Sequence, residues 1–576
     1  MRKYRKRIDR RGAEAQRRED FHGVKLRVFS MAFLHNSPVL MLLLASFSEH
    51  IKHIFTSSLR LCASAVIVLF SVTILTSQTL DVTRFGAVGD GKILNTRALQ
   101  AVIDSCSRQG GGTVLFPAGR FLTGSLTLKS NITLELSNGA VLLGSDNIND
   151  YTTEPRDKRR HLLYAHNASN IAIIGQGTID GQGKGFWKGD TVDFEPPPER
   201  PIHWLRFVSC SRVQLRDVRL QNSPSHTCFL DSCSDVSIDG VSLVNDARVP
   251  NTDGFDISDC SHVRVSNCLI FTGDDAICLK GQGAGLQNVL VTNCVIESDD
   301  AALKLGTGSL GVMENCIFTN CVIRNTRYGI ALFMIEGGKH RNITFQNITI
   351  EGGSRHPYDY PIFVDLDAKD STFPLGTIEN ISFHDITART QGKILISGHP
   401  KKNITSISLR NITLEASNCA AMTKARKPKG NRNYKYEDRL GNADFANIPA
   451  LITLGYAEKM RLENVTVRLS DTTANAKTML WAKGVKSLVA NELRVESSSA
   501  QSLQKPVVTV SEAQSITIQN AELLTKAPVF LECFSTDRKG VRLSNNQLFG
   551  VSEVAFERKE IDRRATKTWA EAQRRK

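Results

Sequence analysis

Between Asn251 and Thr307 a short acidic pattern occurs three times, as Asp253-Gly-Phe-Asp-Ile257, Asp275-Ala-Ile-Cys-Leu-Lys280 and Asp300-Ala-Ala-Leu-Lys304. The steps are 22 and 25 residues. A repeat of that length, long enough for two or three short strands, is what a parallel β-helix requires, because each coil covers the apolar face of the one below it. Neighbouring coils then stand about 4.8 Å apart. On this spacing Asp253, Asp275 and Asp300 are expected to form one outward ladder, with Asp274 and Asp299 beside two of its rungs. Carboxylates that close repel one another and split their pKa values, a cost that points to a ligand or to chemistry.

The coil length also shows in residues that carry no charge. Cys210, Cys233 and Cys260 recur in similar contexts, and Cys268, Cys294 and Cys321 each follow an asparagine. Thirteen cysteines in 576 residues is a sparse, odd count, so stacked buried thiols are expected rather than a disulfide framework. Asn342, Asn347, Asn380, Asn403, Asn411 and Asn464 each open an Asn-Ile-Thr, Asn-Ile-Ser or Asn-Val-Thr stretch. These are glycosylation sequons, but an asparagine before a β-branched alternation also reads as a turn residue entering a strand, and that reading is preferred.

A formal charge of +14 would suggest a nucleic-acid partner if it were spread over the body. Instead residues 1–30 carry a net +7 and residues 557–576 a net +4, which leaves the rest nearly neutral at +3. Four segments are expected. Residues 1–30 and 557–576 are charged, disordered ends, similar enough to each other to be translated repetitive sequence. Residues 31–78 contain the apolar runs Val39 to Phe47 and Leu61 to Leu75 and read as a signal peptide or hydrophobic leader. Residues 79–556 form a single solenoid domain. A helix from about Thr96 to Ser107, apolar at Leu99, Val102, Ile103 and Cys106 and ended by Gly110 to Gly112, is expected to cap the first coil.

The ordered motifs Phe85-Gly-Ala-Val-Gly-Asp-Gly91, Gly110-Gly-Gly-Thr-Val114, Pro117-Ala-Gly119, Gly177-Thr-Ile-Asp-Gly-Gln-Gly183, Asn222-Ser-Pro224, Asn251-Thr-Asp-Gly254 and Gly273-Asp-Asp275 resemble glycoside hydrolase family 28, the polygalacturonase family. The resemblance implies an all-β, right-handed parallel β-helix of the pectin-lyase-like kind. It also implies hydrolysis of a pectic polysaccharide with inversion at the anomeric carbon. On it, Asp274 is the general acid, while Asp253 and Asp275 hold and deprotonate the attacking water and stay ionised. An inverting pair is expected about 6.5–9.5 Å apart. Asp274 and Asp275 can both face outward only if the strand breaks at Gly273, because consecutive strand residues face opposite sides.

Two of the family's elements are absent. Its Gly-His-Gly is replaced by Asp300-Ala-Ala302, and its Arg-Ile-Lys by Arg327-Tyr-Gly-Ile-Ala-Leu-Phe333. Asn251, Lys280, Asp300, Lys304, His226 and Arg327 are therefore the candidate substrate-binding residues. Lys280 and Lys304 occupy apparently equivalent places on successive coils. Trp187 and Trp204 could stack on sugar faces, and the basic loop from Lys424 to Arg439 could attract an acidic polymer. A calcium-dependent polysaccharide lyase and a non-catalytic carbohydrate-binding β-helix are the alternatives. No cofactor, metal, nucleic acid or stable membrane association is expected, only a polysaccharide substrate and a secreted or periplasmic monomer.

Overall fold

The structure, a computed structural model, describes residues 78–156, 158–187, 199–353, 359–419, 445, 447–498, 502–548 and 551–556. The expectations for the two charged ends, the leader and the Lys424 to Arg439 loop lie outside these residues. Among the described residues no helix is long and apolar enough to cross a membrane.

Every strand-to-strand pairing in the registered sheets is parallel, and each strand pairs with the equivalent strand one coil away. One coil shows the plan, with Cys228–Asp231, Ser234–Asp239 and Ser242–Val244 forming three sides, followed by Phe255–Ser258, Ser261–Ser266 and Leu269–Thr272 in the next coil. Like stacks on like inside. Val213, Val236, Val263 and Val289 form one column, and Leu220, Leu243, Ile270 and Ile296 form another. All eight are buried. This is the expected right-handed parallel β-helix, in which β-branched and leucine side chains fill a narrow interior at every coil.

The capping helix spans Thr96–Arg108 and buries Leu99, Val102, Ile103 and Cys106, as its periodicity predicts. It stops where Gly111, at φ +113°, lies so close to Asn131 that a Cβ would sit 2.4 Å from that residue's carbonyl oxygen. The twelve described cysteines are free and buried, and Cys233 N–H donates to the Cys260 sulfur at 3.3 Å. All of these asparagines but Asn403 sit at corners in the left-handed region, for example Asn342 at φ 54° and Asn380 at φ 54°. Their amides bond from coil to coil: Asn380 Nδ2 donates to Asn342 Oδ1 at 2.7 Å, and Asn464 Nδ2 to Asn411 Oδ1 at 3.0 Å.

Candidate active site

Three turns carry the acids, each leading from the last strand of one coil into the first strand of the next. The strand before Gly273 ends at Thr272 and the next begins at Ile277. That interruption lets both Asp274 and Asp275 point away from the coil interior, Asp274 half-buried and Asp275 buried. Thr252, buried in the turn below, fastens it: its hydroxyl donates to Val249 O at 2.8 Å and accepts from Gly273 N–H at 3.1 Å. A Cβ on residue 273 would lie 2.6 Å from Val249 O and 2.7 Å from Thr252 Oγ1, so only glycine allows the two acidic turns to approach this closely. Thr272 and Ser298 hydroxyls both donate to the Asp274 carbonyl, at 2.6 and 2.8 Å.

Carboxylate oxygens of Asp253, Asp274 and Asp275 all lie within 4.8 Å of one another. Burial pushes the Asp274 carboxyl well above the ordinary carboxylate range, reinforced by the charges of Asp253, Asp275 and Asp300. Asn251 Nδ2 donates to its Oδ2 at 3.3 Å, and the Asp275 N–H to its Oδ1 at 3.0 Å. Burial also lifts Asp275, to about 7, although Lys304 pulls it down. The expectation that this residue stays fully ionised therefore gives way to one that titrates near neutrality. Asp275 Oδ1 is a buried acceptor that receives no hydrogen bond among the described residues, an arrangement proteins rarely leave unsatisfied, and Asp253 Oδ1 has His226 Nδ1 at 3.2 Å.

The third copy of the acidic pattern is out of step with the first two. Leu303 stands opposite Ile277, so Ala301 takes the rung above Asp275, and Tyr328 follows above Ala301. Asp300 continues the Asp274 row instead: the turns from Thr272 to Ile277 and from Ser298 to Leu303 are equally long, and in the second of them the acidic pair falls one residue earlier. The lysines are not equivalent either. Lys304 stands opposite Cys278, and the register shifts between Leu279 and Gly281. Both lysines are almost fully buried and engaged with carboxylates: Lys304 Nζ donates to Asp275 Oδ2 at 2.6 Å, and Lys280 Nζ lies 3.1 Å from Asp256 Oδ1. They neutralise the acidic cluster rather than reach for a sugar.

Of the other expected contacts, Asn251 and His226 lie beside the acids and remain half-buried. Arg327 packs over the Tyr328 ring and lies 3.4 Å from Asp300 Oδ1. Trp204 is wholly in the interior, which removes it as a sugar platform. Trp187 is partly exposed, with the Arg200 guanidinium 4.2 Å from its ring centre. Three groups escaped the sequence reading. Asp256 lies within a motif and, at period two, outward of the buried Phe255 and Ile257, so the alternation carried a signal. Asn245 is buried and braces Thr227 and Thr252 through its amide. Arg200, also buried, bonds Pro224 O at 2.6 Å, Pro250 O at 3.1 Å and Asn251 Oδ1 at 3.2 Å; no local pattern links it to turns 24 and 50 residues away.

The oxygens of Asp253, Asp274 and Asp275, and those of Asp253 and Asp256 with a His226 nitrogen, are close enough to surround a cation. Two of these carboxylates already carry lysine ammonium groups.

The profile of Glycosyl hydrolases family 28 matches residues 106–431. The chain belongs to this family. It is a glycoside hydrolase built on the family's β-helix. It is 28% identical over 364 residues to a protein of Vitis vinifera named probable polygalacturonase, covering 57% of this chain and 73% of that one. It is 26% identical over 357 residues to polygalacturonase-2 of Solanum lycopersicum, covering 58% and 75%. Its fold resembles the crystal structure of an exopolygalacturonase from Thermotoga maritima, with a TM-score of 0.52 and 22% identity over 59% of this chain and 87% of that one. The family match spans every residue of the acidic cluster, together with Asn251, His226, Lys304 and Arg327.

Proposed function

We propose that this family 28 glycosidase hydrolyses a pectic, galacturonate-containing polysaccharide, with Asp274 as general acid and Asp253 and Asp275 holding the attacking water. The observation that carries the reading is the unequal state of three clustered carboxylates. Burial and the neighbouring carboxylates push Asp274, the partly exposed one, towards its protonated form, while Lys304 draws Asp275 towards ionisation. A protonated acid beside an ionisable base is the requirement for general acid–base cleavage. One water held between Asp253 and Asp275 would satisfy the buried Asp275 Oδ1 acceptor. The names of the relatives, polygalacturonase and exopolygalacturonase, favour a galacturonate polymer. Asn251, Asp300 and Arg327 are the side chains placed to meet the sugar. With the lysines committed elsewhere, Arg327 is the candidate cation for a sugar carboxylate. A polysaccharide substrate and the Leu61 to Leu75 apolar run together favour an exported enzyme.

Incubation with polygalacturonate and a panel of pectic polymers, with products read by mass and reducing ends, tests the activity. Asp274→Asn should lower kcat by about 10²–10⁴-fold; undiminished turnover in that variant would overturn the acid assignment. Proton NMR of the first product tests the stereochemistry, and retention at the anomeric carbon would reassign a close carboxylate as a nucleophile. An unsaturated, ultraviolet-absorbing product would replace hydrolysis by elimination.

A further inference from the structure

His226 is set within the carboxylates in a way that simple sugar contact does not explain. Its Nδ1 lies 2.8 Å from Asp256 Oδ2 and 3.2 Å from Asp253 Oδ1. Lys280 Nζ lies 3.1 Å from the other Asp256 oxygen. Three successive coils therefore contribute a chain of alternating charge, Lys280, Asp256, His226 and Asp253. Asp256 has no exposure to solvent at all, whereas the His226 side chain keeps 23%. A carboxylate buried that completely persists only with charged partners, and its two are Lys280 and His226.

The surrounding groups leave the imidazolium no competing carboxylate among the described residues. His203 packs edge-on at 5.1 Å between ring centres and is held neutral by burial and by the charges of His226, Arg206 and Arg159. Arg206 is paired with Asp231 at 2.6 Å, and Arg200 is bonded to the turns at Pro224 and Pro250. Beyond Asp253 lie Asp274 and Asp275, the latter carrying Lys304. Burial alone would strip the charge from His226, but the two carboxylates outweigh it and push its pKa up to about 10.

We propose that His226 is a positioning residue for the hydrolysis: a ring anchored by Asp256 that fixes the orientation of Asp253. It thereby supplies, from the preceding coil, an imidazole that the Asp300-Ala-Ala302 turn lacks. The proposal rests on Asp253 being one of the water-holding carboxylates. Asp256 and Lys280 act one step further out, holding the imidazole rather than touching the reaction.

The test uses the full chain, selectively labelled at histidine, with His226→Gln and Asp256→Asn variants. By NMR the His226 ring of the unmodified enzyme should stay protonated far above the ordinary histidine value of about 6.5, and in Asp256→Asn it should return towards that value. Towards oligogalacturonide, His226→Gln should lower kcat by about 10²-fold with KM nearly constant, as misplacement of a reacting group does. The acid limb of its pH profile should move up by about one unit, because a neighbouring cation has been lost. His226→Lys should recover part of the rate. An ordinary titration of His226 in the unmodified enzyme would overturn the proposal. So would a His226→Gln variant whose lost activity matches its lost folded fraction while its pH profile is unmoved. If the unmodified enzyme fails on every galacturonide, the functional reading falls, and the NMR titration still decides whether the clamp exists.

Discussion

Lys304 is the residue whose meaning changes most between sequence and structure. Its spacing from Asp300 made it a candidate grip for a sugar, yet it is buried at Asp275 and donates to that carboxylate. Its charge is what offsets burial and keeps Asp275 near 7. Lys304→Met should therefore raise the Asp275 pKa further, and activity that needs the ionised carboxylate should appear only at higher pH. A kcat/KM profile whose acid limb stays in place in that variant would rule out this coupling. Asp274 is the complementary case. Since its surroundings favour the protonated form, Asp274→Asn replaces a neutral acid by a neutral amide of the same shape, so thermal unfolding near neutral pH should barely change while turnover collapses. A large loss of stability would mean that the carboxylate is ionised in the folded protein.

The elements of this fold are corners and columns as much as strands. Each corner asparagine does two jobs, adopting the left-handed conformation at modest cost and passing an amide hydrogen bond to the next coil. At Asn342, φ is 54° and its Oδ1 accepts from Asn380. Asn342→Ala should cost about 1–2 kcal/mol from backbone strain, and Asn342→Gly less, because glycine keeps the conformation and loses only the side-chain bond. Chemical denaturation of the two variants measures the difference, and equal losses would show that the ladder bond dominates. The acidic turns obey the same logic at closer range. Gly273 and Thr252 bring two loops together so tightly that three carboxylates share one site, and the structural cost is accepted where the chemistry is.

Across the whole molecule, a solenoid interior should be apolar at every coil, and one column breaks that rule. Met313, His340 and Ile378 stack in register, and His340 is fully buried with neither ring nitrogen bonded among the described residues. Burial lowers its pKa to about 3. The unfolded chain therefore binds a proton between about pH 6.5 and 3 that the folded chain refuses, and stability falls as pH drops through that window. His340→Met should stabilise the fold at neutral pH by about 1–3 kcal/mol, the cost of an unsatisfied buried polar group. The advantage should widen by about 1.4 kcal/mol per pH unit on acidification towards pH 4. Unfolding curves at several pH values test this, and a constant difference would mean that the ring is charged or hydrated in the native state. The β-helix, its capping helix, the stacked thiols and the Asp253 and Asp274–Asp275 turns were all legible, because a repeated fold writes its period into every coil. Asp256 was half-legible, in the alternation of one strand. The sequence by itself determined the coil length, the family and the acidic residues, since these depend on local spacing and on side chains that must stack on their own kind. Only the tertiary structure decided which carboxylate each cation serves. The third acidic pair falls one residue earlier in a turn of unchanged length, which moves Asp300 from one row to another, and a shift of register places Lys304 beside Asp275 and leaves Lys280 with Asp256. Pairings across coils depend on register to within one residue, and electrostatics over 3 Å depends on nothing coarser.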